Sequence, residues 1–314
     1  MALFTSTQNL LHHTLLIAIT SAQDEDKLVE CIKALTVFVL QGLDAAAGAG
    51  ELASRIILFC AMQRALASAH KFSFDYGHPV RLVDFLKALT GVEAKDLDLG
   101  ITDADKKRDL LDNGMIFWNH FSLIKYSPSS KDLLKFMYRS MAAQCKQNQA
   151  GFDQIFTIYL KRESESADLE ERNISFGGVQ VKNRQSAIDL VKENYKWTDR
   201  FAKVKLLEEN PYLVLFMDLH GIRPEDKDSN NTRTGISTLP SLDTISTRSS
   251  SERTDHRRAS LVFHGFDHFH CLSQPVTDAL KALIDTEPDF VKLNTTESGK
   301  LYSRTINPCL YSTE

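Results

Sequence analysis

A polar gap near the C-terminal third constrains this chain most. From Ile222 to Arg258 apolar residues thin out, and 14 of the 32 residues from Ser229 to Ser260 are Ser or Thr. Such a stretch buries too little apolar surface to offset the entropy lost on ordering it. The gap divides the chain into a body over 1–221, a disordered Ser/Thr-rich linker over 222–258, a segment at 259–290 and a loose tail at 291–314. The third piece is below about 40 residues, too short to fold alone without a metal or disulfides. It is therefore expected to dock back onto the body.

Inside the body the pattern reads as successive helices. Leu28, Cys31, Ile32, Leu35, Val39 and Leu43 recur at helical spacing behind Ser21, a candidate cap. A helix over 51–70 follows, nearly all apolar through Ile56 to Met62. Pro79 opens a shorter one that Gly91 ends, and Thr102 with Asp105 opens another running on to Phe121. Ser127-Pro128 starts one that carries Leu133, Leu134, Met137 and Met141. Residues 154–160 suit a strand or a helix, and 213–217 a buried strand or a helix turn. Ile174 to Val181 alternates about Gly177-Gly178, a hairpin signal. A long amphipathic helix is predicted over 185–210, stopped by Pro211. The expected class is mainly α, a helical bundle-like body with a minor β element.

Composition narrows the function. The chain has 314 residues and a formal net charge of -4, which argues against coating nucleic acid by bulk charge. Its five cysteines are scattered and odd in number, as suits a reducing compartment. No Lys or Arg precedes the apolar run Leu15–Ile19, and no run approaches the roughly 18 apolar residues of a membrane span. The expectation is a cytoplasmic or nuclear protein, neither secreted nor membrane-bound.

Three constellations carry chemistry. Arg257-Arg258-Ala259-Ser260 presents two arginines ahead of a serine, the pattern basophilic kinases read, and Arg248 ahead of Ser251 is a weaker second site. On a helix, His264, Asp267, His268 and Cys271 would share one face and suit zinc. Gly265 and the preceding Leu-Val-Phe favour strand and turn, which scatters them. Along the predicted 185–210 helix, Lys192, Lys196, Arg200 and Lys203 form a basic stripe interleaved with Tyr195, Trp197 and Phe201. That patterning suits nucleic acid or an acidic partner, although Asp189, Glu193 and Asp199 dilute it.

The string Leu213 to Asp218 is similar to the strand-plus-acid motif of haloacid-dehalogenase-type phosphatases. It departs where that family needs a second acid, since His220 stands there, so no such enzyme is expected. The reading this supports is a non-catalytic interaction or scaffold protein that binds a protein partner or itself, regulated by phosphorylation. A nucleic-acid-binding or packaging protein that self-associates is the first alternative. A metal-dependent enzyme or metal-stabilised module at 264–271 is the second.

Overall fold

Three short apolar runs form the parallel centre of a nine-stranded mixed sheet. The computed structural model describes residues 25–40, 46–69, 78–146, 149–162, 168–183, 189–221, 236–241 and 256–286. In chain order these give α1 (Glu25–Leu40), α2 (Ala46–Ala69), β1 (Val80–Arg81), α3 (Leu82–Thr90), α4 (Ala104–Asn113), β2 (Gly114–Ile116), β3 (His120–Ile124), α5 (Ser130–Tyr138) and β4 (Met141–Cys145). They continue with β5 (Gln154–Leu160), β6 (Ile174–Lys182), the single turns α6 (Leu190–Glu193) and α7 (Asp199–Ala202), β7 (Tyr212–Asp218), β8 (Ile236–Ser237), β9 (Arg258–His264) and α8 (Gln274–Ile284).

The main path of the sheet runs β1-β2-β5-β6-β7-β9-β8, with β6, β7 and β9 parallel and β5 antiparallel to β6. The outer edge of β5 is shared: β2 pairs with its C-terminal half and β4 with its N-terminal half. Both faces are covered. Phe156, Val179, Val181, Leu215, Leu261 and Phe263 belong to one core with α1, α2, α3 and α8. Ile155, Phe176, Val214, Phe216 and Val262 belong to a second, with α5, Trp197, Ala202 and Leu239.

The mainly α expectation is overturned by this sheet. Strands covered on both faces read as unbroken apolar runs, with no alternation to separate them from buried helix. No hairpin forms at 174–181 either. Gly177 and Gly178 lie within continuous β6, where aromatic rings press on them. A Cβ on Gly177 would stand 2.1 Å from Cζ of Phe156, and one on Gly178 2.6 Å from Cδ1 of Phe152. The helix expected from Thr102 to Phe121 ends at Asn113, and its continuation pairs as β2 and β3. Its cap is Asp103, whose side chain accepts from the backbone of Asp105 and Lys106.

Among the described residues 189–210 the expected long helix does not form. α6, a 3-10 turn at Asn194–Lys196 and α7 take its place, because Asp189 and Thr198 each cap a new start. Trp197 turns inward against Phe216, ring centroids 4.6 Å apart, and is 1 % exposed. Burying that indole outweighs the weak pull of helical periodicity.

Arg258–His264 is an interior strand, paired with β7 along its whole length, and α8 packs on α1. Of the expected linker, 236–241 are described and contain β8, which pairs antiparallel with β9. Its remaining parts at 222–235 and 242–255, Ser251, the run Leu15–Ile19 and the tail 291–314 lie outside the described residues. Among the described residues no helix is long and apolar enough to cross a membrane.

Candidate active site

Polar side chains from four elements converge where β6 ends. Asp153 immediately precedes β5, and its backbone N–H donates to the Val179 carbonyl at 2.9 Å, setting it opposite Gln180. The alternation of a strand then puts Gln180 and Lys182 on the same face. Asp153 Oδ2 accepts the Val181 N–H at 2.7 Å and the Gln180 amide.

Glu51 arrives from the first turns of α2. Gly50 lets that helix close on the strand, since a Cβ there would lie 2.8 Å from Cβ of Asn183. The Gln144 amide on β4 ties the Glu51 carboxylate to the turn before β5, donating to Glu51 Oε2 at 2.7 Å and to the Asp153 main-chain carbonyl at 3.0 Å. The Gln154 amide holds the α2 backbone through the Glu51 carbonyl at 3.0 Å.

Charge at this cluster is incompletely offset. Burial pushes the Asp153 carboxyl above its ordinary range, although the Val181 N–H, Lys182 and Gln180 pull it back in part. Burial, then the charges of Asp153 and Glu51, push the Cys145 thiol up. Among the described residues no ion pair reaches Asp153. Two buried acceptors nearby, Gln144 Oε1 and Asn183 Oδ1, have no hydrogen-bond partner. Buried acceptors are rarely left unsatisfied unless water or an ion completes them.

The same edge continues sideways. Lys182, Asp218 and His264 are partners in register across the carboxyl ends of β6, β7 and β9. His264 Nδ1 lies 3.8 Å from Asp218 Oδ2, and His220 Nδ1 lies 3.6 Å from Asp285. With strands about 4.8 Å apart, His264 stands about 10 Å from Lys182. Parallel sheets bind ligands outside the carboxyl ends of their strands, which is this edge.

The zinc face does not assemble, because its residues fall on a strand end and the following loop rather than on a helix. His264 faces Asp218, and Asp267 is exposed beside Lys281 at 3.8 Å. His268 lies in the loop, and Cys271 is buried under α2, its thiol donating to the Ile57 carbonyl at 3.5 Å. Burial pushes that thiol well above its ordinary value, which disfavours the thiolate a metal needs. Among the described residues no group of three or more His, Cys, Asp or Glu is arranged to hold a metal ion.

Ser260 sits inside β9, 1 % exposed, its hydroxyl accepting the Leu239 N–H at 3.0 Å. Its two arginines face inward rather than toward a kinase. Arg257 pairs with Asp199 at 3.0 Å, and the Arg258 guanidinium donates to the carbonyls of Asn194, Trp197 and Pro240. A kinase reaches this serine only after the strand leaves the sheet.

Lys192, Lys196, Arg200 and Lys203 no longer share a helical stripe, but they remain neighbours on the surface of the α6–α7 segment. Trp197 leaves them for the core.

Glu51, Gln144, Asp153, Gln180 and Lys182 escape a reading by motif. Their one local signal is Gln-Val-Lys, polar residues alternating at the end of an apolar strand. No curated protein and no solved structure matches the chain. The family described as Domain of unknown function (DUF8736) matches residues 15–285, a span that holds every group of this site, and the chain belongs to that family.

Proposed function

We propose that the chain is a divalent-cation-dependent phosphodiester hydrolase acting on nucleic acid. The observation that carries this reading is a desolvated Asp153, bonded only to neutral donors beside Gln180 and Lys182 at one strand end, with Glu51 tied to the Asp153 backbone through Gln144. A magnesium-type ion is held through one or two carboxylates, with water and substrate phosphate filling its other positions. Asp153 alone meets that number, so a cluster of three acids is not required.

A bound divalent cation supplies Lewis-acid polarisation and an activated water. The chain's own groups do the rest. Asp153 would hold the cation, with Glu51 the further carboxylate nearby, and the Gln180 amide and Val181 N–H hold the Asp153 carboxylate in orientation. The Lys182 ammonium stabilises negative charge growing on the phosphate oxygens. Water adds to phosphorus, the bond from phosphorus to one sugar oxygen breaks, and that oxygen takes up a proton. Each event consumes one water and leaves one phosphomonoester and one hydroxyl end.

The four described cysteines are free thiols, which supports a reducing, cytoplasmic or nuclear location.

The test is cleavage of end-labelled single- and double-stranded DNA and RNA by the purified full chain in magnesium or manganese. Chelator should stop it. Asp153→Asn and Lys182→Ala should each slow it at least about a hundredfold, since even groups behind a metal ligand cost 10–100-fold. Cleavage of none of the four substrates, or wild-type rates from Asp153→Asn, overturns the proposal. The non-catalytic interaction protein expected from sequence then returns.

A further inference from the structure

We infer that the α6–α7 surface is the track along which a single strand of nucleic acid enters the site. The inference rests on the hydrolase reading and names its substrate. Tyr195 and Phe201 are 48 % and 37 % exposed and meet edge to face, ring centroids 5.3 Å apart. Exposed aromatics of this size in contact form a platform that a base extends by stacking.

Cations surround the platform. Lys192 and Lys196 answer Asp189 and Glu193 at 3.1 Å and 3.5 Å, while Asp199 is turned inward to Arg257. Among the described residues Arg200, Lys203 and Lys205 have no ion-pair partner, so they carry the surplus charge. A positive surface around aromatic faces is what an unpaired strand needs, phosphates on the cations and bases on the rings. A duplex keeps its bases stacked inside and gains nothing from the rings.

Position joins the track to the chemistry. Gly151, two residues before Asp153, packs on α7 so closely that a Cβ would lie 2.6 Å from Cβ of Ala202 and 3.2 Å from the Lys196 carbonyl. The turn that presents Asp153 and the helix that presents Phe201 are therefore in contact. The rings thus stand on the element that packs against the turn carrying Asp153.

Binding is measured apart from cleavage, by fluorescence anisotropy of the full chain in chelator. The probes are single strands of about 16 nucleotides, DNA and RNA, and the matching DNA duplex. Single strand should bind more tightly than duplex, and comparing the two sugars shows which strand is preferred. Tyr195→Ala with Phe201→Ala should weaken single-strand binding about five- to a hundredfold, the stacking of one base. Arg200→Gln with Lys203→Gln should lower the slope of log affinity against log salt by about 1.4, two phosphate contacts. Duplex binding as tight as single strand, wild-type affinity in the aromatic variant, or no strand binding at low salt overturns the track. The two readings fail separately. Strand binding lost with both pairs of variants, without any cleavage in magnesium or manganese, removes the hydrolase and keeps the track. Cleavage without preference for single strands does the reverse.

Discussion

The two ends of β6 handle charge in opposite ways. At its amino end Arg162 is closed on every side, meeting Asp109 at 2.7 Å, Asn173 at 3.0 Å and Asn210 at 3.2 Å. Asn210 in turn donates to the carbonyls of Arg172 and Ile174. A cavity of about 550 Å³ opens there, lined by Lys106, Arg162, Arg172, Glu208 and Asn210 among others, yet its cations already have partners. Lys106 donates to the Glu209 carbonyl and Arg172 pairs with Glu170. At the carboxyl end Asp153 meets amides and no cation. Charge that holds the fold together is matched within the chain, whereas the carboxylate proposed to meet a ligand has no ion-pair partner among the described residues. Under the proposed function this cavity is thus a poorer guide to chemistry than the unmatched carboxylate.

Substitutions at the two ends should separate these roles, and the largest contrast is in activity. Arg162→Ala should leave cleavage within a few-fold of wild type while Asp153→Asn removes it. Stability should run the other way. Removing Arg162 strands Asp109, Asn173 and Asn210, at a cost of about 2–3 kcal/mol, less than a fully buried pair because the arginine is 37 % exposed. The urea midpoint reads that loss. Asp153→Asn should leave the midpoint unchanged or raise it, since the folded protein disfavours the ionised carboxyl there. A loss above about 1 kcal/mol in Asp153→Asn would break the contrast, because it would make the site structural.

The smallest effect is in acid. Burial alone would raise the Asp109 carboxyl, but hydrogen bonds from Arg162 and Asn113 outweigh it and hold it below its ordinary value. A carboxylate lowered in the folded state adds stability above its unfolded value of about 3.9 and loses it as pH falls through the folded one. The stability gap between wild type and Arg162→Ala should therefore be constant at neutral pH and narrow below about pH 4. Denaturant midpoints across that range measure it, and a constant gap down to pH 2 would assign the loss to packing instead.

Local signals were legible where short-range chemistry decides the outcome. Pro275 falls in the first turn of α8, Gly91 ends α3, and α5 begins within three residues of Ser127, at a capping box of Ser129 and Asp132. The sheet was not legible as a whole, because β5 and β7 are apolar on both faces and carry no period, while the alternation in β6 about Gly177-Gly178 read as a hairpin. The candidate site was hidden for a related reason. Glu51, Asp153 and Lys182 are distant along the chain and are brought to the same end of β6 only through the pairing of β5 with β6 and the close approach of α2 at Gly50. Gly177-Gly178 imitated a turn because glycine answers both to turns and to crowding by rings, and sequence alone does not distinguish the two.

Sequence by itself determined which segments are apolar enough to be buried, where several helices start and stop, and that the stretch around 229–260 is rich in Ser and Thr. Only the tertiary structure decided that Arg258 to His264 is an interior strand, that Arg257 and Arg258 bond inward, and that Asp153 faces Gln180 and Lys182. The division follows from range. Caps and turns are settled by contacts within a few residues, whereas strand pairing and the desolvation of a carboxylate depend on partners that only the folded chain brings together.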